Sequence, residues 1–234
     1  DSSRELGTGH LARCLALAEG MQNRVSRTVF FVADRPNSLV APVIESGFEL
    51  ITIPFFADGE SSNEPYASDV QAMDAQHVAA ALGDEEQAII IVDHYGLSYA
   101  WESVFESFHQ VIVVDDLADR PHKCSILIDP TFGASVDRYA ELVAENTHLL
   151  VGSDYAIIEA NYRLAHEEAV ENIVRDRVSQ REQLRVGVFF GGGDHRNLTE
   201  PAVKVIAQSK GPARECAMVI GLGSGERERL AQLG

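Results

Sequence analysis

A histidine closes the stretch Gly7-Thr8-Gly9-His10 near the start of the chain, and Arg13 follows three residues later. Leu11, Leu15 and Ala18 recur at helical spacing, which predicts a helix that begins near residue 10. A helix N-terminus presents N–H groups and a positive dipole end to an anion. An imidazole there can take a proton from water or a hydroxyl group. The alternative is a helix start with an incidental histidine.

A second polar cluster, Asp93-His94-Tyr95-Gly96-Leu97, directly follows the apolar run Ile89–Val92. In open α/β sheets, ligands bind outside the carboxyl ends of the strands. We therefore expect this cluster to form a pocket wall. The alternative is a turn in which Asp93 caps the next helix.

The third cluster runs from Asp115 to Cys124, also after an apolar run, and mixes acids with Arg120, His122 and Lys123. An internal network of ion pairs and hydrogen bonds and a contact with substrate through Asp116 are both compatible with this composition. Clustered acids can also hold a metal. His122 with Cys124 is too small a set for a zinc site.

The fourth cluster, Gly191-Gly192-Gly193-Asp194-His195-Arg196-Asn197, follows an apolar run and opens a predicted helix. This placement is typical of a loop that binds a phosphate through backbone N–H groups. A hinge loop between domains is the alternative, and Gly221–Gly225 has a similar but weaker pattern. The chain contains no Walker loop, HExxH, G-x-S-x-G or GxGxxG motif.

The residues expected at a ligand site therefore come from all four clusters. The catalytic candidates are His10 and Tyr95. The substrate-binding candidates are Gly7, Thr8, Gly9, Arg13, Asp93, His94, Asp116, Gly191, Gly192, Gly193, Asp194 and Asn197.

Short Val/Ile-rich runs alternate with amphipathic stretches, which predicts an α/β fold with parallel sheets covered by helices. The predicted strands cover residues 27–33, 48–53, 87–93, 110–115, 125–129, 148–151, 184–190 and 215–220. The predicted helices cover residues 38–46, 69–82, 99–108, 136–144, 159–180, 198–209 and 226–233.

The long polar helix separates two apolar blocks and predicts a domain boundary. We expect an N-terminal Rossmann-like domain over residues 1–166, a connecting helix over 167–183 and a nucleotide-binding domain over 184–234. A glycine loop of this kind normally follows a strand, and two strands are too few for a complete second domain. We therefore expect the first strand and part of the second domain to be missing from this chain.

The charge and cysteine content exclude several classes of protein. The net charge is −17, from 36 acidic and 19 basic residues among 234, so we expect neither a nucleic acid nor an anionic membrane as partner. Three widely spaced cysteines argue against a disulfide framework or a structural zinc site and favour the cytoplasm. No apolar run reaches the roughly 18 residues of a membrane span.

Five stretches, taken in chain order, resemble one family. They read DSSxxLGTGHxxRCLxLA, VDHYGLSxxWE, VDDLADRxHxCxILID, LLVGSDYAIIEANY and FFGGGDxxNLT. These stretches resemble the UDP-sugar hydrolases of pseudaminic-acid biosynthesis, to which the spore-coat polysaccharide biosynthesis proteins G are similar.

The resemblance implies a GT-B-type fold with two Rossmann-like domains, and a UDP-sugar as substrate. It implies hydrolysis of UDP-2,4-diacetamido-2,4,6-trideoxy-β-L-altropyranose to UDP and the free sugar, with inversion and with no metal or cofactor. The family's catalytic histidine corresponds to His10 and its DHYG tyrosine to Tyr95, near the sugar. Its glycine–aspartate–asparagine stretch corresponds to Gly191, Gly192, Asp194 and Asn197. We expect His10 and this stretch to face each other across the cleft between the domains.

Two positions depart from the family pattern. Glu159 stands where the family often has arginine, and the fourth cluster reads Gly-Gly-Gly-Asp-His where the family usually has Ser or Thr third. A GT-B glycosyltransferase with another acceptor, or a non-catalytic sugar-nucleotide binding protein, is therefore the alternative to a hydrolase.

Overall fold

The computed structural model describes residues 9–35, 38, 40–55, 65–83, 88–107, 109–179, 184–190, 197–209 and 214–219. It divides into two compact units, residues 1–160 and 161–234. The predicted α/β class with parallel sheets is confirmed in the described residues. The predicted domain limits at residues 166 and 183 stay a prediction.

The first unit alternates strands and helices along the chain. Its strands are β1 Val29–Ala33, β2 Glu49–Ile53, β3 Ile89–Val92, β4 Gln110–Val114, β5 Ile126–Asp129 and β6 His148–Val151. Its α-helices are α1 Gly9–Met21, α2 Ala41–Glu45, α3 Ser68–Leu82 and α4 Tyr99–Glu102. Two 3-10 turns, Val136–Tyr139 and Ser153–Tyr155, flank β6.

All described strand pairs are parallel. Strands β1 and β2 pair with each other, while β3, β4, β5 and β6 form a sheet in sequence order. Ile90 lies opposite Val111, and Val113 lies opposite Leu127. Because parallel strands end at the same edge, the residues that follow β3 and β4, which are the second and third polar clusters, lie at that edge.

Two apolar clusters support this edge. The larger one joins α3 and α4 to β3 and β4, with Ala75, Trp101 and Phe105 fully or almost fully buried. The smaller one packs Leu11 and Leu15 of α1 against Val43 of α2 and the partly buried β1 and β2 side chains. Helix α1 is therefore anchored by one face, which leaves its His10 and Arg13 side chains to reach Asp93 after β3.

Helix α5, Ala160–Ser179, begins at the last residue of the first unit and otherwise belongs to the second. The second unit also contains β7 Leu184–Val188, α6 Thr199–Gln208 and β8 Arg214–Met218, and β7 pairs with β8 in parallel. The predicted helix over residues 226–233 lies outside the described residues. Among the helices that the structure describes, none is both long and apolar enough to cross a membrane.

Three predicted helices were too long. The helix predicted over residues 38–46 spans only Ala41–Glu45 and has Pro42 in its first turn. The helix predicted over residues 99–108 ends at Glu102, after which the backbone forms i→i−3 hydrogen bonds, from the Val104 N–H to the Trp101 carbonyl and from the Phe105 N–H to the Glu102 carbonyl. The helix predicted over 136–144 is a 3-10 turn that ends at Tyr139, whose buried hydroxyl contacts Asp115 and Asp129.

Candidate functional site

The centre of the site is a histidine–aspartate pair. His10 lies in the first turn of α1, and its Nδ1 is 2.5 Å from Oδ1 of Asp93, which directly follows β3. The Asp93 side chain is 1% exposed, whereas that of His10 is 16% exposed. The imidazole is therefore partly open to a ligand, while the carboxylate is enclosed beneath it.

Arg13 lies one turn after His10 on the same side of α1 and fixes the Asp93 carboxylate. Its Nε donates to Oδ2 and its Nη2 to Oδ1, each at 2.8 Å, which is a bidentate pair. Its Nη1 donates to Asp116 at 3.1 Å. Burial alone lowers the pKa of Arg13, but Asp93 and Asp116 outweigh it and raise that pKa, so the guanidinium stays charged.

This arrangement selects one tautomer of His10. A carboxylate held by an arginine is an acceptor, so the proton between His10 and Asp93 belongs to Nδ1 of the imidazole. Nη2 of Arg13 also lies 3.1 Å from Nδ1, but that contact cannot be a hydrogen bond while Nδ1 carries its proton. Nε2 is then the unprotonated nitrogen of the neutral ring, which is the atom that can accept a proton.

Tyr95 and Asp116 form the second part of the site. The Tyr95 hydroxyl donates to Asp116 at 3.0 Å, and its ring meets the His10 ring edge-on with centroids 4.5 Å apart. Burial and the Asp116 carboxylate raise the pKa of Tyr95, so its hydroxyl stays protonated. The buried Arg120 donates to the Tyr95 carbonyl and thereby holds the backbone after β3.

The third polar cluster forms ion pairs and hydrogen bonds within the protein, one of the arrangements that its composition allowed: Arg120 pairs with Asp119, and two other members bond to Glu102 of α4. Glu102 is fully buried and accepts hydrogen bonds from Nδ1 of His122 at 2.7 Å and from the Lys123 backbone at 2.5 Å. Asp116 is the member that points to the site. Within the described ranges, no group of three or more His, Cys, Asp or Glu side chains is arranged to hold a metal ion.

Cys14 and Cys124 are poor nucleophiles. Burial and the nearby Asp93 carboxylate raise the pKa of Cys14 to about 12. Burial, with Glu102 next, raises the pKa of Cys124 to about 12. Both thiols therefore stay protonated near neutral pH, which argues against covalent catalysis by either of them.

Sequence reasoning did not single out the residues beside His94. Tyr66 stacks edge-on against His94 with ring centroids 5.4 Å apart, and its hydroxyl accepts from Arg35 at 2.9 Å. The Arg35 guanidinium lies 3.7 Å above the centre of the Phe55 ring. Arg35 and Phe55 lie two residues after the ends of β1 and β2. Their position just after a strand is the sequence feature from which a place near the site could have been predicted.

Gly96 leaves room for the Tyr66 ring. A Cβ at position 96 would lie 2.5 Å from Cζ of Tyr66, whose backbone N–H donates to the Gly96 carbonyl. We expect Gly96→Ala to lower the free energy of unfolding by about 1–3 kcal/mol, because the ring must be displaced. Urea denaturation measures this change. The control is Gly20→Ala on α1, where nothing lies within 4 Å, and an equal loss in both variants would contradict the explanation.

His94 is expected to make stability depend on pH. Its Nδ1 accepts a hydrogen bond from the Gly96 backbone, and burial, with His10 among the nearby charges, lowers its pKa well below 6.5. Below pH 6.5 the unfolded chain binds a proton at this histidine that the folded chain does not, so stability falls as the pH falls. The slope for one such group is at most about 1.4 kcal/mol per pH unit.

The measurement is the free energy of unfolding in urea at pH 7.5 and pH 5.5. We expect His94→Asn, which keeps an acceptor for the Gly96 N–H, to lose less stability on acidification than the wild type. His77→Asn on the exposed side of α3 is the matched control. An identical pH dependence in wild type and His94→Asn would show that His94 is not the titrating group.

The remaining predicted site residues are only partly described by the structure. Gly7 and Thr8 lie outside the described residues, as do Gly191, Gly192, Gly193 and Asp194. Gly9 begins α1, beside His10. Asn197 is exposed, has a positive φ of 50° and precedes α6 in the second unit. Of the predicted set, the structure brings together His10, Arg13, Asp93, Tyr95 and Asp116.

The described residues thus define an α/β protein with a histidine–aspartate–arginine site at the carboxyl edge of a parallel sheet. No family model matches the chain. Over 212 residues it is 25% identical to the UDP-2,4-diacetamido-2,4,6-trideoxy-β-L-altropyranose hydrolase of Campylobacter jejuni, and the match covers 90% of this chain. The chain spans 65% of the length of that curated relative.

Proposed function

We propose that the protein hydrolyses a UDP-linked 2,4-diacetamido-2,4,6-trideoxy sugar to UDP and the free sugar. One observation carries this proposal. His10 lies in the first turn of α1, and its Nδ1 contacts the buried carboxylate of Asp93. This contact supplies an oriented base whose other ring nitrogen faces away from the aspartate. The similarity to a UDP-sugar hydrolase supports the substrate class.

In the proposed reaction, Nε2 of His10 takes a proton from water as the water oxygen attacks the anomeric carbon. The bond between that carbon and the diphosphate oxygen breaks, and UDP leaves with the electron pair. Attack on the face opposite the leaving group inverts the anomeric configuration. Asp93 stabilises the imidazolium that forms, and that cation then releases its proton to solvent.

The remaining site residues have supporting roles in this proposal. We assign Tyr95 to the contact with the sugar, because its hydroxyl is held by Asp116 and its ring meets the His10 ring edge-on. Arg13 uses Nε, Nη1 and Nη2 on two carboxylates, so its main role is to fix Asp93 rather than to bind phosphate. The sequence pattern of residues 191–194 and Asn197 is the basis for assigning the diphosphate to this stretch, since glycine loops before helices bind anions through backbone N–H groups.

The experiment that tests the proposal is UDP release by the full-length protein from a panel of UDP-linked diacetamido-trideoxyhexoses. The assay is run in EDTA, because the proposed step uses a histidine base and no metal. Release that persists in EDTA and yields the inverted free sugar would support the proposal and identify the sugar.

Two other outcomes would overturn it. Saturable binding of a panel member without UDP release, unless an alcohol acceptor is added, would identify a glycosyltransferase. Saturable binding with no release under either condition would identify a binding protein. Glu159 and the glycine loop depart from the family pattern, so the assay is run both with and without an alcohol acceptor.

A further inference from the structure

The turn that follows β4 determines where Asp116 lies. The Asp116 carboxylate contacts both Arg13 and Tyr95, at 3.1 Å and 3.0 Å. A shift of this turn would therefore move two groups that contact His10 or its partner Asp93. Residues that hold the backbone of Asp116 in place therefore also determine the positions of Arg13 and Tyr95 in the site.

Asp115 stabilises the turn from the inside. Its carboxylate accepts from the backbone N–H groups of Leu117 at 3.2 Å and Ala118 at 2.9 Å. Ala118 has a φ of +52°, a backbone conformation that residues other than glycine seldom adopt. The turn is therefore held in an unfavourable backbone conformation by hydrogen bonds to a buried carboxylate.

Arg138 holds the same turn from the other side. It projects from the 3-10 turn Val136–Tyr139, and its Nη2 donates to the carbonyls of Asp116 and Leu117, both at 3.1 Å. Its Nη1 donates at 2.7 Å to Asp129, a fully buried carboxylate at the end of β5. One planar guanidinium thus links the end of β5 to the turn after β4.

Tyr139 closes the network between the two carboxylates. Its side chain is completely buried, and its hydroxyl lies 3.0 Å from Asp115 Oδ2 and 3.1 Å from Asp129 Oδ2. A hydroxyl has one proton, so it satisfies one of these carboxylates at a time. The guanidinium of Arg138 is the cation that compensates Asp129, and this fixes its place beside the turn.

We propose that Arg138, anchored by Asp129, is a positioning residue that sets the place of Asp116 and, through it, of Tyr95 and Arg13. None of the four clusters in the sequence contains Arg138, and its guanidinium donates to the Asp116 carbonyl rather than to the Asp116 carboxylate. Its effect on activity rests on the proposed function, but its effect on the geometry of Tyr95 does not.

The activity test is a double-mutant cycle on kcat for UDP release. We expect Arg138→Gln to lower kcat about 10- to 100-fold in the wild-type background, because small displacements of groups at a reacting centre are costly. In the Asp116→Asn background the same change is expected to cost less than about 3-fold, since the group through which Arg138 acts is already altered. Equal effects in both backgrounds would overturn the proposal.

Two variants separate positioning from stability. Arg138→Lys keeps a cation beside Asp129 but loses the planar fork, so it is expected to fold and still lower kcat. Arg27→Gln removes an exposed arginine that pairs with Glu49 and is expected to leave kcat unchanged. Full activity in a folded Arg138→Lys variant that has also lost the contact with Asp116 would contradict the positioning role.

The second readout does not depend on activity. The protein is labelled with 3-fluorotyrosine, and the resonance of Tyr95 among the six tyrosines is assigned from its absence in Tyr95→Phe. We expect the Tyr95 resonance to shift in Arg138→Gln and Arg138→Lys but not in Arg27→Gln. An unchanged Tyr95 resonance in both Arg138 variants would overturn the proposal. A wild type that releases no UDP would contradict only the proposed function.

Discussion

Replacement of His10 by asparagine is expected to lower kcat by about 10²- to 10⁴-fold, the usual contribution of a general base. An asparagine amide can take the place of Nδ1 and keep a hydrogen bond to Asp93. It has no group in the place of Nε2, so the proposed proton acceptor is lost. Substrate binding and the free energy of unfolding are expected to change little, because the His10 side chain is part of no apolar core.

The measurement is steady-state UDP release together with urea unfolding of both proteins. His77→Asn provides a matched histidine replacement on the exposed side of α3 and is expected to keep full activity. A His10→Asn variant that turns over at the wild-type rate would remove His10 from the mechanism. A variant that is unfolded would be replaced by His10→Gln, for which the same kinetic result is expected.

Replacement of Asp93 by asparagine is expected to lower kcat by a similar factor, roughly 10²- to 10⁴-fold, although Asp93 contacts no substrate in the proposed reaction. With Arg13 donating to the remaining carbonyl oxygen, the amide nitrogen faces His10 and donates to Nδ1. The imidazole then carries its proton on Nε2, where the water must deliver one. The loss of charge also removes the partner of the imidazolium.

This prediction has a kinetic signature. KM is expected to change much less than kcat, since the tautomer of His10 affects proton transfer rather than substrate contact. Asp69→Asn at the exposed start of α3 is the matched control. A large rise in KM with an unchanged kcat would indicate instead that Asp93 binds the substrate directly, as the sequence alone suggested.

Strands β3 and β4 and their parallel order could be predicted because both are almost entirely Val/Ile runs. Strands β3 and β4 pack against helices in the larger apolar cluster, so their sequences are almost entirely apolar and do not alternate with polar residues. The carboxyl-edge location of Asp93, Tyr95 and Asp116 follows from the same pattern. Helix lengths were less predictable, since apolar periodicity does not reveal that the backbone changes to i→i−3 hydrogen bonds after α4.

The roles within the site could not be read from the sequence in the same way. Asp93 and His10 are separated by 83 positions, and an acid after a strand is equally suited to cap a helix, bind a ligand or orient a histidine. Only the distance between them distinguishes these roles. Arg138 lies in a segment for which the sequence predicted only a helix. Its proposed role depends on hydrogen bonds to backbone carbonyls, and every residue type has a backbone carbonyl, so the sequence gives no sign of them.

The charge of the chain is compatible with a diphosphate that is bound by backbone N–H groups. The protein has a net charge of −17, and Arg13, the arginine nearest His10 in the sequence, is committed to Asp93 and Asp116. Helix N-termini and glycine loops bind anions through N–H groups without a cationic side chain. The proposed substrate is therefore compatible with an acidic protein.

The most direct test of the account is hydrolysis of the UDP-sugar in H₂¹⁸O, followed by mass spectrometry of the released UDP. Attack of water at the anomeric carbon leaves all diphosphate oxygens in place, so the UDP is expected to contain no ¹⁸O. One ¹⁸O atom in the UDP would show that water attacks phosphorus. That result would contradict the proposed inverting reaction and the role of His10 as the base that serves it.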